Sequence, residues 1–415
     1  MKKSWLFAVL WCLVMAQVCS GAGFALYEWS ARGNALGGTL IGRADDPSAI
    51  AYNPAGITQL KGTHVLGGVT AIAPDVTVKV KGEDSTSEKN NVFLVPHVYA
   101  VQQLNDRYWL GVGEFTRFGL ATDFPSNWPG RYNSYYAEIK SYSIVPCLAI
   151  KLTDNLSFAF GLEGMYFDFT KKKMKDLTTL GIVEDMDSQV HGKSFNYGFN
   201  VSFHYVPVKW LKIGFIYRSQ IQHRLSGRAT FDRPAALVLI HSTWFRDTDV
   251  QGDITLPDSY ALGITFYPFD KLSIEGDVVY TRWSCYDKLV IEYGDDLTPP
   301  LGNTQTSSKK DWKDVWRFQF GIEYKATTNL SLRASYVYDQ SPIPDEHVDY
   351  LLPANNRHLF GAGIGYKANN WSVDFSYNYL MYEDRDVDGR NDGVKDGKFT
   401  DGKAHLVGLS VSYKF

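Results

Sequence analysis

Few residues of this chain have types and spacings that could do chemistry. Gly361-Ala362-Gly363-Ile364-Gly365 has glycines spaced like a nucleotide fingerprint. That motif needs a helix after the glycines to receive phosphate, and these lie inside a strand-like run. Asp384, Asp386 and Asp388 with Gly389 open like a calcium loop, but the twelfth position is Lys395 where a bidentate Glu is needed. A solvated external loop is the expectation there. The nine His residues are scattered without paired metal-ligand spacing, and no Ser/His or Asp/His pair stands out. No catalytic residue, cofactor or metal is therefore assigned. What stands out is apolar. Pro234-Ala235-Ala236-Leu237-Val238-Leu239-Ile240, followed by Trp244-Phe245, sits in a stretch otherwise read as a loop, 227–249. Such a loop either binds something or packs on itself, and its candidate ligand contacts are Leu237, Leu239, Ile240, Trp244 and Phe245. Arg218, Arg317 and Arg333 fall on the inward side by parity and are candidate partners for a carboxylate. Each could equally pair with Glu163, Glu323 or Asp374, because buried charges need partners.

The elements that would position these residues are strands. The chain has 415 residues, 42 Lys+Arg against 45 Asp+Glu and a net charge of −3, which argues against a nucleic-acid binder. It has no apolar run of the ~20 residues that a helical span requires, and its mean hydropathy is −0.22. Phe 24, Trp 11, Tyr 26 and Gly 36 suit strands with many turns. Apolar and polar residues alternate with period two. Trp371, Val373, Phe375, Tyr377 and Tyr379 alternate with Ser372, Asp374, Ser376 and Asn378. Trp316, Phe318, Phe320, Ile322 and Tyr324 alternate with Arg317, Gln319, Gly321 and Glu323. In the run from Leu330 only Val337 breaks the pattern.

Alternation alone does not separate a soluble sandwich from a membrane barrel. Connection lengths do. Short turns such as Asn105-Asp106, Thr153-Asp154, Thr327-Thr328 and Ala368-Asn369 alternate with long connections at 82–91, 120–133, 173–189, 227–249, 293–311, 341–355 and 385–402. Short periplasmic turns and long external loops mark an outer-membrane barrel. The expectation is all-β: a transmembrane antiparallel β-barrel of about 14 strands over 61–415, in the outer membrane of a Gram-negative bacterium. The last strand puts Val407, Leu409, Val411, Tyr413 and Phe415 on one face. A terminal aromatic such as Phe415 resembles the signal read by the outer-membrane assembly machinery.

Two segments precede the strands. Residues 1–22 carry Lys2 and Lys3, an apolar run from Trp5 to Val18 and small residues at Ser20, Gly21 and Ala22. This predicts a secretory signal peptide; Val18 before Cys19 argues against a lipoprotein anchor. The mature chain keeps Cys147 and Cys285, expected as free thiols. Residues 23–60 lack alternation and are rich in small residues. Asp46-Pro47 predicts a helix start near 47–52, and Asn53-Pro54 predicts its end. A compact helical segment before a barrel suggests a plug in the lumen; a periplasmic extension is the plain alternative.

The chain resembles the FadL/TodX family of outer-membrane transporters. The residues that carry the resemblance are Gly23-Phe24-Ala25-Leu26-Tyr27-Glu28, Ala44-Asp45-Asp46-Pro47-Ser48 and Tyr52-Asn53-Pro54-Ala55-Gly56, then Ala73-Pro74-Asp75-Val76, Phe118-Gly119-Leu120-Ala121-Thr122, Trp128-Pro129-Gly130-Arg131-Tyr132, and Arg218-Ser219 with Leu225-Ser226-Gly227. The resemblance implies a 14-stranded barrel with an N-terminal helical hatch over 23–60, whose motif includes Asn53, Pro54 and Ala55. It also implies passive uptake of long-chain fatty acids or other hydrophobic small molecules, captured at external loops, bound in the lumen and released by hatch movement through a lateral strand kink. Gly111 and Gly113 are the expected kink, since Gly weakens strand pairing; two glycines in an ordinary strand are the bland reading. The other partners expected are outer-membrane lipid and the assembly machinery. No nucleic acid is expected, and the chain is expected to be a monomer. A general porin, or a structural or adhesin-like barrel, is the alternative.

Overall fold

The alternating runs form one closed wall. The computed structural model describes residues 23–415, so the expected signal segment lies outside the described residues. The wall has 14 antiparallel strands. In chain order they are β1 (Thr63–Val80), β2 (Phe93–Gln103), β3 (Tyr108–Phe115, resuming as Gly119–Asp123), β4 (Tyr136–Lys151), β5 (Leu156–Lys175), β6 (Met186–Val208) and β7 (Leu211–Arg218, then Ile221–Asp232). There follow β8 (Thr248–Leu256, then Ser259–Phe269), β9 (Leu272–Thr281, then Lys288–Tyr293), β10 (Gln305–Lys309, then Val315–Lys325), β11 (Leu330–Asp339), β12 (Arg357–Ala368), β13 (Trp371–Tyr382, then Arg385–Val387) and β14 (Gly397–Lys414). β14 pairs back onto β1 from His64↔Lys414 to Val80↔Gly397, with one irregularity between Asp75 and Thr77.

The barrel is inside-out relative to a soluble protein. Trp316, Phe318 and Phe320 are each 45% exposed, while Gln319 and Glu323 on the opposite face of the same strand are buried. Phe375 and Tyr377 are exposed and Asp374, Ser376 and Asn378 buried. Apolar residues outward and polar residues inward is the arrangement lipid demands. Val337, the exception in its strand, faces inward and is fully buried. It packs with Tyr27, and a Cβ on Gly37 would come within 2.7 Å of it.

The short turns owe their shape to their side chains. Asn105 Oδ1 accepts from the N–H groups of Arg107 and Tyr108 at 2.9 and 3.1 Å. Thr153 Oγ1 and Thr327 Oγ1 accept from Leu156 and Leu330 in the same way. Asn369 takes φ 51°, a left-handed conformation that Asn tolerates. Several long connections are shorter than expected because the strands run further into them: 173–189 shrinks to 176–185, 293–311 to 294–304 and 385–402 to 388–396. The apolar loop 227–249 shrinks to 233–247 because β7 runs on to Asp232 and β8 begins at Thr248.

Candidate functional site

Residues 23–60 pack against inward-facing residues of the barrel wall. Helix α1 (Ala31–Ala35) is capped by Ser30, whose Oγ accepts from Gly33 N–H at 3.0 Å. Its polar groups reach the wall: Ala31 N–H donates to Ser410 Oγ at 2.8 Å, Asn34 Nδ2 to Thr70 Oγ1 at 2.8 Å, and Asn378 Nδ2 to Asn34 O at 2.7 Å. Helix α2 (Ala49–Tyr52) lies close to the expected 47–52 and is followed by a 3-10 turn, Pro54–Gln59. Asn53 ties this region down: its Nδ2 donates to Ile41 O at 2.8 Å and to Phe203 O at 3.0 Å. Pro54 occupies the first position of the turn, where a missing N–H costs nothing, and Ala55 N–H donates to Ser202 Oγ at 3.0 Å. The segment thus touches β1, β6, β13 and β14.

Two charge networks add to this grip. Arg43 donates to Glu275 at 3.0 Å, with both side chains wholly buried, and also to Ser273 O and Gly321 O. Arg32 bridges Asp45, Asp46 and Glu323 at 2.7, 2.9 and 3.0 Å. Charges this deep persist only where paired and hydrogen-bonded.

The three arginines named from the sequence separate here. Arg333 is taken up by Glu323 and Asp374, each at 2.6 Å. Arg218 and Arg317 have no acidic partner in an ion pair among the described residues. Arg218 donates to Ala51 O and lies over Trp29 and Phe115, 5.5 and 5.6 Å from the ring centroids. Its Nη1 has no hydrogen-bond partner among the described residues, and neither has Arg317 Nε. Arg317 sits 4.1 Å over the Tyr27 ring. Both line a cavity of about 60 Å³ with Tyr27, Trp29 and Arg117. Arg117 itself is held by Glu163 at 2.8 Å.

The wall is broken beside this cavity, though not where the glycines suggested. Gly111 and Gly113 are paired on both sides, to Val101 and Tyr99 on β2 and to Cys147 and Val145 on β4. Neither has room for a side chain: a Cβ at Gly111 would meet Cys147 Sγ at 2.8 Å and Ile50 Cδ1 at 2.9 Å, and one at Gly113 would meet the Tyr99 ring at 2.6 Å and Ile50 Cγ2 at 3.0 Å. The interruption of β3 falls at Thr116–Phe118. There the N-terminal segment substitutes for β2: Leu26 N–H donates to Arg117 O at 2.8 Å, Gly119 N–H to Phe24 O at 2.9 Å, and Ala25 bridges Phe118. β2 pairs with β3 only over Val98–Gln103, which leaves Phe93–His97 unpaired on that side. A mostly apolar cavity of about 310 Å³ opens at this breach, lined by Phe24, Leu26, Val95, Leu120, Ile139 and Leu406 among others.

The apolar loop forms a short helix, α3 (Ala235–Ile240), and divides its residues between packing and exposure. Leu237 and Phe245 are buried against Leu177, Ile182, Met186 and Leu297. Trp244 stacks on His241 at 3.7 Å and donates Nε1–H to Pro299 O at 3.1 Å. Leu239 and Ile240 project outward, 88% and 56% exposed.

The profile of outer membrane protein transport proteins (OMPP1/FadL/TodX) matches residues 12–415. The chain belongs to the FadL/TodX family. It is an outer-membrane protein, as its inside-out barrel requires. It is 24% identical over 439 residues to the long-chain fatty acid transport protein of Salmonella typhi, covering 98% of this chain and 97% of that one. It is 26% identical to the 47 kDa outer membrane protein of Pasteurella multocida, with 97% and 96% covered. The fold matches a FadL homologue from Pseudomonas aeruginosa at TM-score 0.83 and 20% identity, over 95% of this chain and all of that one. It matches the toluene transporter TodX of P. putida at TM-score 0.74 and 16% identity, with 94% and 99% covered.

Within this FadL/TodX barrel, sequence reasoning missed the breach at Thr116–Phe118. The run Glu114-Phe115-Thr116-Arg117-Phe118 carries no Pro or turn dipeptide to mark a break, and only the structure shows the alternation lost there, with Phe115 to Phe118 all buried. It also missed Arg43 and Glu275, whose partnership spans 232 positions of sequence.

Proposed function

We propose that this protein is a passive outer-membrane channel for long-chain fatty acids or other hydrophobic small molecules. The observation that carries the reading is the apolar cavity opening at the interruption of β3, next to the unpaired edge of β2. Cargo is collected at the outer loops around Leu239 and Ile240. It passes to the lumen between Tyr27, Trp29, Arg218 and Arg317, where a head group can find an unpaired guanidinium. Residues 23–60 act as a hatch whose shift at Phe24–Leu26 frees the way sideways, through Thr116–Phe118. The names of the relatives, a fatty acid transport protein and a toluene transporter, support this range of cargo. An apolar chain gains about 0.8 kcal/mol per buried CH₂, so capture and lateral release need no energy source beyond partition. The exposed terminal Phe415 suits recognition by the assembly machinery.

The test is uptake of radiolabelled oleate and of toluene by cells expressing the chain, against the variant Gly119→Trp, which fills the breach beside Leu26. Uptake of at least one compound that Gly119→Trp abolishes, with the barrel still at the surface, is the expected result. Uptake indifferent to the substitution would overturn the lateral route. A large steady ion conductance would favour a general porin instead.

A further inference from the structure

β5 continues well past the aromatic outer rim of the barrel, and its inward face changes character there. Met165, Phe167 and Phe169 are buried in the apolar core. The next three inward positions are Lys171, Lys173 and Lys175. Alternate strand residues lie about 6–7 Å apart, so the three ammonium groups form a ladder descending from the outer loops toward the lumen.

No ion pair or side-chain hydrogen bond is made by any of the three ammonium groups among the described residues. The acids nearest Lys171 are already committed: Asp349 to Lys310 and Asp392 to Arg390. All three lysines are half-buried. Burial, with the Lys173 ammonium beside it, pulls the Lys171 amine down to about 7. Burial pulls Lys173 and Lys175 down as well. A row of half-buried cations without counter-charge is costly and is relieved when an anion enters. The upper end of the ladder meets the apolar loop cluster: Lys175 Nζ stands 4.9 Å from the centre of the Phe245 ring, and Phe245 packs with Leu237. Apolar surface and unpaired cation therefore adjoin at the outer mouth.

We propose that Lys171, Lys173 and Lys175 form an anion-binding rail that draws a single-chain amphiphile with an acidic head group from the outer loops into the barrel. The proposal rests on the uptake reading and narrows its cargo from hydrophobic molecules in general to those carrying a negative head. The apolar tail engages the loop cluster while the head steps down the ladder, and a neutral hydrocarbon gains nothing from it.

The experiment compares binding of oleate and of oleyl alcohol, equal in chain and different in charge, to the purified full-length barrel at low and high salt. The variants are K171Q/K173Q/K175Q and K171R/K173R/K175R, with heat-modified gel mobility reporting assembly. Removing three near charges should weaken oleate binding about tenfold or more and flatten its salt dependence. Oleyl alcohol should bind unchanged, and the arginine variant should retain oleate binding. Oleate binding unaffected by the glutamine variant, or an equal loss for both ligands, would overturn the rail while leaving the uptake reading standing. A wild-type barrel that binds neither ligand would sink both.

Discussion

Arg43 and Glu275 meet at 3.0 Å inside the barrel, with neither side chain reaching solvent. Glu275 also accepts from the N–H groups of Gly42 and Arg43 and from Thr265 Oγ1. One wall carboxylate therefore holds both the side chain and the backbone of the N-terminal segment.

Glu275→Ala should leave the Arg43 charge buried and unpaired, a loss of about 3–5 kcal/mol. The expected outcome is a loosened segment and frequent current bursts in planar bilayers. Arg43→Met with Glu275→Leu should be quieter than Glu275→Ala alone, since no orphan charge remains. Equal noise from the single and double variants would show that the pair does not anchor the segment.

Deletion of residues 23–60 should raise single-channel conductance sharply. The intact barrel should pass few ions. An intact chain already conducting strongly, and unchanged by the deletion, would mean that these residues do not obstruct the lumen.

Ala25 and Phe118 form a bridge flanked by hydrogen bonds between their neighbours. Such non-hydrogen-bonded antiparallel pairs have Cα atoms about 4.5 Å apart, within disulfide reach. Ala25→Cys with Phe118→Cys should cross-link on oxidation, stop oleate uptake and recover on reduction. Full uptake by the cross-linked form would rule out movement at this bridge as the gate.

The outer loop should split under mutation. Leu239→Ser should weaken capture by about tenfold or more, because a buried aliphatic side chain is worth about 1.5–3 kcal/mol, and should leave loop order intact. Leu237→Ala should cost about 2–5 kcal/mol of packing and expose the loop to protease. Trp244→Ser should resemble Leu237→Ala, since Trp244 is tied to Pro299 O. Binding assays paired with limited proteolysis distinguish the two classes.

The Lys310–Asp349 pair gives the outer loops a pH window. Burial works to raise the Asp349 pKa, but Lys310 prevails and holds it below its ordinary 3.8. Burial works to lower Lys310, yet Asp349 holds it above 10.5. The Asp349 contribution is present above the ordinary carboxylate value and lost as pH falls through the folded one. The Lys310 contribution is present below 10.5 and lost as pH rises through its folded value. Protease resistance of loop 341–355 should therefore hold across neutral pH and fail below about pH 4. Lys310→Met should abolish that resistance even at neutral pH.

The wall was legible because lipid imposes period two on it. Trp371 through Tyr379 and Trp316 through Glu323 announce their faces, and the turn at Asn105 announces its shape. The short helix near Tyr52 was legible from Asp46-Pro47 and Asn53-Pro54. The candidate site was legible only in part. Arg218 and Arg333 share the same inward parity, and only the fold reveals that Glu323 and Asp374 claim the second and not the first. Gly111 and Gly113 were expected to mark a bend, but both lie in paired strand where Cys147, Tyr99 and Ile50 leave no room for a side chain. Lys171, Lys173 and Lys175 did not stand out, because parity says which face a residue takes, not whether an acid waits opposite.

The seam between β1 and β14 carries a consequence for how the molecule is made. β14 is the last strand, and its Ser410 receives the N–H of Ala31 at 2.8 Å, a hydrogen bond spanning nearly the whole chain. The final stave of the cask thus touches its contents. A wall closed with the first helix unseated would leave Ser410 and the Ala31 N–H without each other, so the last strand and the first helix share a bond that neither keeps alone.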